Sequence, residues 1–224
     1  MKKLNESYEI LTKISECAKE ELQMIEKIGR VCYKSEDLII EDGESAKKFV
    51  AMLIKNGHEA MLEHSNLSVK FIVDRGISHE LVRHRIASFA QESTRYCNYA
   101  KDKFGSECNF IDITPGIKLD NKMKSMETSE IALVLEEWEK AMEDAERHYM
   151  KILELGATPQ IARSVLPNST KTEITVSANY REWRNFFKLR IPKTAHPQMR
   201  EVTIPLLKEL KEKIPVIFDD IEEN

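Results

Sequence analysis

The sequence predicts an α/β fold of α+β-like character, built as a single domain over residues 1–224. Two stretches, 65–73 and 170–177, alternate apolar and polar residues as strands with one buried face do. Longer stretches between and around them repeat apolar residues every three or four positions, the mark of amphipathic helices. No internal repeat, low-complexity linker or shift in composition divides the chain.

Taken in order, the first segment is ambiguous. Tyr8, Leu11, Ile14, Cys17 and Ala18 have helical spacing, yet 8–14 also fits an edge strand. From 18 to 31 the pattern is helical, with Leu22, Ile25 and Ile28 on one face. Residues 44–56 form a second helix on Phe49, Met52 and Leu53, and Gly57 suits the left-handed residue that follows a helix. In 65–73, Leu67, Val69, Phe71 and Val73 share a face. Asp74-Arg75-Gly76 ends that strand, and Ser78 is suited to cap a helix with Glu80 in its first turn. This helix is expected to be anchored by Leu81, Val82 and Ile86 and to carry Arg83, His84 and Arg85. Successive helical residues sit about 100° apart, so the two arginines are expected to serve different sides of it.

Residues 88–103 have no period and are expected to form a binding loop; a strand follows at 109–113, ended by Thr114-Pro115-Gly116. The longest helical pattern, 129–155, carries Val134, Trp138, Met142 or Ala145, Tyr149 and Ile152. At 1.5 Å per residue it runs about 40 Å, enough to span the domain or line an oligomer interface. Thr158-Pro159 opens a short helix that carries Arg163. The strand at 170–177 buries Thr172, Ile174 and Val176. A helix at 179–189 sets Trp183, Phe186 and Phe187 against Arg181, Asn185 and Arg190, and a last helix at 197–213 packs Met199, Val202, Leu206, Leu207 and Leu210.

The formal net charge of −4 disfavours a general nucleic-acid binder, but the charge is uneven. Residues 163–200 hold eight Lys/Arg against two Glu, whereas 127–154 hold nine acids against three bases. Local arginine-rich stretches on an acidic chain suit a compact anion such as a phosphate. No apolar run is long enough to span a bilayer and the first residues have no apolar signal region, so no membrane partner is expected. The four cysteines form no C-x-x-C pair and are expected to be reduced thiols in a cytoplasm.

Several chemistries lack their motifs. His58 and His64 are six apart and His79 and His84 five apart, so neither pair has the i, i+4 spacing that puts two imidazoles on one helical face; no metal site is expected. There is no G-x-G-x-x-G and no P-loop, so side chains must hold any phosphate, and arginine does this bidentately. Ser93 has no nucleophile elbow around it, and Cys97 is expected to be a bystander thiol.

Residues 83–96 read Arg-His-Arg-Ile-Ala-Ser-Phe-Ala-Gln-Glu-Ser-Thr-Arg-Tyr. They resemble the R-H-R-x-x-S-x-x-x-x-S-x-R-Y signature of the flavin-dependent thymidylate synthases at all seven fixed positions. Further blocks resemble the family in the same order: Arg30-Val31-Cys32-Tyr33, His58 to His64, Ala162-Arg163 with Val165-Leu166-Pro167, and Asn179-x-Arg181-x-x-x-Asn185-x-x-x-Leu189-Arg190. The resemblance covers roughly residues 20–210.

It implies a mixed sheet with a helical layer, a homotetramer, and FAD sites made from several subunits. It implies reductive methylation of dUMP to dTMP. Methylenetetrahydrofolate is the carbon donor, FAD reduced by NADPH is the hydride donor, and tetrahydrofolate is released. By matching position, Arg190 would be the cation that activates the uracil. Arg95, Arg163, Ser93 and the backbone of Gln91, Glu92 and Thr94 would hold the nucleotide, bordered by Glu80, Leu81, Val82 and Arg83. Arg83, His84, Arg85, Ile86, His58, Gln91, Asn179, Tyr180, Arg181 and Asn185 would meet FAD, with Glu63 supporting His58. Cys32 and Ala60 stand where the family often has a hydroxyl near FAD, Glu80 where glutamine is common, and Ala90 where relatives have a polar residue. A carboxylate at 80 would sit badly beside a phosphate unless turned away or paired with Arg83.

Overall fold

The computed structural model describes residues 1–222. Strands β1 (Lys2–Leu4) and β2 (Ser7–Ile10) come first, so the ambiguous start is extended. Helices α1 (Lys19–Tyr33) and α2 (Glu44–Lys55) follow, and a 3-10 helix over Glu59–His64 leads into β3 (Asn66–Asp74). Next are α3 (Arg75–Leu81), β4 (Ala87–Gln91), β5 (Asn109–Ile111), α4 (Thr114–Leu119), α5 (Thr128–Glu154) and α6 (Pro159–Ala162). The chain closes with β6 (Lys171–Asn179), α7 (Tyr180–Arg190) and α8 (Pro197–Lys213).

The main sheet has the order β2-β3-β6-β4, every pair antiparallel, and β1 runs parallel to β5 in a second ladder. An isolated antiparallel bridge, Phe110↔Thr170, joins the two, so both pairing senses contribute. The central pair explains the alternation read from the sequence. Val69 faces Val176, Phe71 faces Ile174 and Val73 faces Thr172, which stacks one apolar face on both strands. That face meets Leu22 and Ile25 of α1, Phe49 and Leu53 of α2, Trp183 and Phe187 of α7, and Leu206 and Leu210 of α8. A smaller cluster, with Phe110, Met142 and Tyr149, lies under α5. Only Met142 and Tyr149 of that 27-residue helix are fully buried, while Leu133 and Leu155 are exposed.

Two expectations about α3 and its sequel fail. Asp74, not Ser78, caps the helix, its carboxylate accepting from the Ile77 N–H at 2.6 Å. The helix then stops at Leu81, tightening through the Arg83 N–H to Glu80 O and the His84 N–H to Leu81 O. Residues 87–91 gain more by pairing with β6, where Ala87 opposes Ala178 and Gln91 opposes Ile174. Arg83, His84 and Arg85 therefore lie in the turn between α3 and β4. His84 is buried, while both arginines are exposed, so they do not divide between two sides of a helix. The expected loop at 88–103 likewise begins as strand. Its edge position and single large apolar residue, Phe89, hide it from periodicity. β5 stops at Ile111, before the Thr114-Pro115-Gly116 expected to end it, and those three residues open α4.

Behind α3 sits a group of acids. Glu6 is buried, and burial, then Glu201 and Asp74, push its carboxyl from the usual 4.5 to about 10. Burial and Asp112 raise Glu201 to about 7. The folded state thus holds a proton at Glu6 that the unfolded chain releases above about 4.5, so stability falls as pH rises from there toward 10. Glu6→Gln keeps the shape without the linkage. It should be more stable than the parent at pH 8, on the order of a few kcal/mol. The gap should close toward pH 4, as read by urea unfolding at both values; equal gaps would refute the linkage.

Candidate active site

The turn after α3 and the last turn of α7 meet in one chain of hydrogen bonds. The Arg190 Nε–H donates to His84 Nε2 at 3.0 Å, and Arg190 Nη1 and Nη2 donate to the Glu80 carboxylate (2.8 Å) and carbonyl (3.2 Å). His84 Nδ1 lies 3.0 Å from Glu182 Oε1. A guanidinium only donates, so His84 Nε2 must carry a lone pair and Nδ1 the proton given to Glu182. Burial, with Arg190 adding to it, depresses the His84 pKa and outweighs Glu182, which keeps the ring neutral. Phe186 packs against the imidazole with ring centroids 5.0 Å apart.

A cavity of about 390 Å³ opens beside α3, lined by Arg75, His79, Thr94, Arg163 and Asn168 among others. Arg163 Nη1 donates to the hydroxyl of Thr94 at 3.2 Å, and Thr94 is buried. Two guanidiniums and an imidazole around one recess have the chemistry to hold an anion. Sequence reasoning did not bring Arg75 and His79 forward: Arg75 reads as part of a strand stop, and His79 as one of a pair without metal-ligand spacing. Only the return of 160–168 to the start of α3 brings Arg163 to them; the Arg75 N–H donates to Asn168 O at 2.8 Å. Helix α3 links the two arrangements, since His79 lines the recess and Glu80, the next residue, binds Arg190.

A second cavity, about 440 Å³, is lined by Glu59, Glu63, Ile86, Asn179, Arg181, Glu182, Asn185 and Lys188. The start of α7 shapes it. Asn179 caps the helix by accepting from the Glu182 N–H at 2.8 Å, and Arg181 pairs with Glu63 at 2.5 Å. The buried Arg184 ties this helix to Glu59 at 3.1 Å and to Asp220 at 2.6 Å, fixing the cavity floor to the C-terminal tail.

Several expected contacts are placed differently. Glu80 pairs with Arg190, not with Arg83. Glu63 holds Arg181 and not His58, whose Nδ1 meets the Tyr33 hydroxyl at 2.9 Å. His84, Leu81 and Tyr180 are buried, so their side chains are turned away from solvent and do not face an open ligand site. Gln91 spends its amide on Ser78 (2.8 Å) and Thr172 (3.2 Å), because an inward position on β4 points it at α3 and β6. The Glu92 carboxylate accepts from Tyr99 at 2.8 Å and pairs with Lys171 at 3.0 Å. Ser93 accepts from the Arg95 N–H at 3.3 Å, and the Arg95 guanidinium lies over the ring of Tyr96. Cys32 and Ala60 are exposed and line neither cavity, while Val82 and Arg83 are exposed beyond the end of α3.

Cys97 lies near Glu92 in a third recess with Lys70 and Lys171. Burial, then Glu92, raises its pKa, so the thiol stays protonated and is a poor nucleophile. Cys97→Ser should therefore keep catalytic turnover within about threefold of the parent. Complete loss in a folded variant would revive a thiol mechanism.

The family model described as thymidylate synthase complementing protein matches residues 13–216. A flavin-dependent thymidylate synthase from Corynebacterium aurimucosum is 34% identical over 92% of this chain and 82% of its own length. The chain belongs to the flavin-dependent thymidylate synthase family. The family's enzyme from Corynebacterium diphtheriae is 30% identical over 94% of this chain and 82% of its own. Among solved structures, a UMP/dUMP methylase from Streptomyces cacaoi bound to 5-Br dUMP superposes with a TM-score of 0.80. That likeness covers 98% of this chain and 96% of the methylase at 20% identity, and so speaks for the fold. No helix among the described residues is long and apolar enough to cross a membrane.

Proposed function

We propose that this protein makes dTMP from dUMP, with methylenetetrahydrofolate as carbon donor and FAD reduced by NADPH as hydride donor. The observation that carries the reading is Arg190, held at two edges and bonded to Glu80, whose preceding residue His79 lines a two-arginine recess. The recess takes the nucleotide phosphate on Arg163 and Arg75, with Ser93, Thr94 and Arg95 on its loop side. Arg190 takes the uracil. Three of its five N–H groups are already bonded, which leaves one on each Nη for an acceptor such as the carbonyl O4 at the O4/N3 edge. Uracil C5 is a weak nucleophile, and a fixed cation at that edge stabilises the negative charge that develops as C5 attacks. Such a charge counts for more in a dry site than in water.

The chemistry of the second cavity fits FAD. Arg181 of the lining, and the exposed Arg83 and Arg85 that precede the lining residue Ile86 in the chain, offer cations to a pyrophosphate. Asn179 and Asn185 offer amides, and Ile86 gives an apolar contact for a ring. When bound, FAD supplies the hydride that completes the methyl group. A dinucleotide extends beyond a recess of about 440 Å³, which supports sites shared between subunits of a homotetramer. The half-covered α5, with Leu133 and Leu155 exposed, supports subunit packing on this helix. We place the enzyme in the cytoplasm, in keeping with its four free cysteines, and treat residues 1–224 as one functional domain.

Colour is the first test. Purified protein should carry or take up FAD and absorb in the flavin bands, and with NADPH and methylenetetrahydrofolate it should convert dUMP to dTMP. Protein that is folded but neither binds FAD nor turns over dUMP would remove the reading.

A further inference from the structure

We propose that His84 and Glu182 are positioning residues that lock the Arg190 guanidinium in a single orientation toward the nucleotide base. The inference rests on the reading of Arg190 as the activating cation. An arginine side chain has many rotamers, and a base-activating guanidinium must present its plane and free N–H groups at one angle. The two edges of Arg190 are treated differently. Glu80 binds through Nη1 and Nη2 from a half-exposed position, its side chain 31% exposed. The Nε edge is held from the interior by His84, whose side chain is 6% exposed, backed by Glu182 at 9%.

Imidazole suits this task in only one state. Neutral, with the proton on Nδ1, it offers Nε2 as an acceptor; the other tautomer or the imidazolium would aim an N–H at the Arg190 Nε–H. Glu182 selects the productive tautomer by accepting from Nδ1–H. Its own carboxylate is steadied by the Asn185 amide at 3.3 Å and its backbone by the Asn179 cap. Phe186, one turn before Arg190 on α7, sets the ring plane by edge packing. The Arg190 carbonyl, accepting from Thr203 of α8 at 3.2 Å, fixes the stem. Glu182 also lines the FAD-type cavity, so the device joins the wall of that cavity to the residue that faces uracil. The charged groups facing the ring are Glu182 and Arg190 of α7, with Glu80 of α3 across the guanidinium.

The test compares His84→Phe, His84→Gln, Glu182→Leu and Glu182→Gln in the flavin-loaded enzyme, with Arg190→Ala in parallel. Flavin content, KM for dUMP and kcat are read for each. His84→Phe keeps an aromatic ring against Phe186 but offers no acceptor. It should lower kcat about 10- to 100-fold, with flavin content and KM within about twofold, the scale of loss when a reacting group is misplaced by about 1 Å. His84→Gln restores an acceptor and should recover most of the loss. Glu182→Leu, which leaves the tautomer free, should act like His84→Phe, and Glu182→Gln, which still accepts, should recover most of that loss. A parental kcat in His84→Phe and Glu182→Leu would overturn the proposal. So would equal losses in the Gln and apolar variants, or a fall in flavin content that accounts for the loss of kcat. If Arg190→Ala itself turns over normally, the activating role has failed; if only Arg190→Ala is impaired, the positioning role has.

Discussion

Arg190→Ala is expected to lower kcat for dTMP formation by about two to three orders of magnitude, the range seen when one preorganised donor is removed from a developing anion. Flavin content should stay near the parent's, because Arg190 is outside the cavity formed by Ile86, Asn179, Arg181 and Asn185. The substitution leaves Glu80 half-exposed and able to rehydrate, and leaves His84 bonded to Glu182, so folding should survive. Arg190→Lys is the sharper control. It keeps the charge, yet one ammonium cannot reproduce the fork that spans His84 and both Glu80 acceptors. Lysine should therefore recover only part of the loss. Stopped-flow dUMP conversion and a flavin spectrum on the same sample decide the matter, and normal turnover in Arg190→Ala would exclude the activating role.

Arg163→Ala should raise KM for dUMP by about 10- to 100-fold, since a hydrogen bond to a charged group contributes about 1.5–3 kcal/mol. The phosphate is remote from the carbon that reacts, so this is binding shared by ground and transition states, and kcat should change little. Deoxyuridine, which has no phosphate, separates the readings. Its kcat/KM should be nearly the same in the parent and in Arg163→Ala. An equal loss on both substrates would mean that Arg163 acts through the fold, by way of its bond to the buried Thr94, and not on the phosphate. Arg75, which shares the recess, should follow the same pattern.

Arg163 and Arg190 lie 27 positions apart in a basic stretch. Charge alone could assign neither; the motif register singled them out, and the fold gives each its neighbours. The helices at 44–55 and 197–213 and the central strands were legible because one face of each is buried, so the period of burial is written into residue type. The strand at 87–91 was not legible, because an edge strand with hydroxyl, alanine and amide side chains carries almost no period. Pairing of that strand with β6 puts Arg83, His84 and Arg85 not on a helix, where their sides would diverge, but in a turn that buries the histidine between two exposed arginines.

By itself the sequence determined the α/β class, the apolar faces that build the core, the absence of a glycine-rich phosphate loop, and the signature from Arg83 to Tyr96 that assigns the family. These are properties of residue type and spacing along the chain. Only the tertiary structure decided who holds whom. It paired Glu80 with Arg190, Glu63 with Arg181 and His84 with Glu182, and it brought Arg75 to Arg163 across 88 residues. The reason is physical. A hydrogen bond reaches about 3 Å and depends on angle, so its partners are chosen by how the turn after α3 and the end of α7 pack, which no local pattern records.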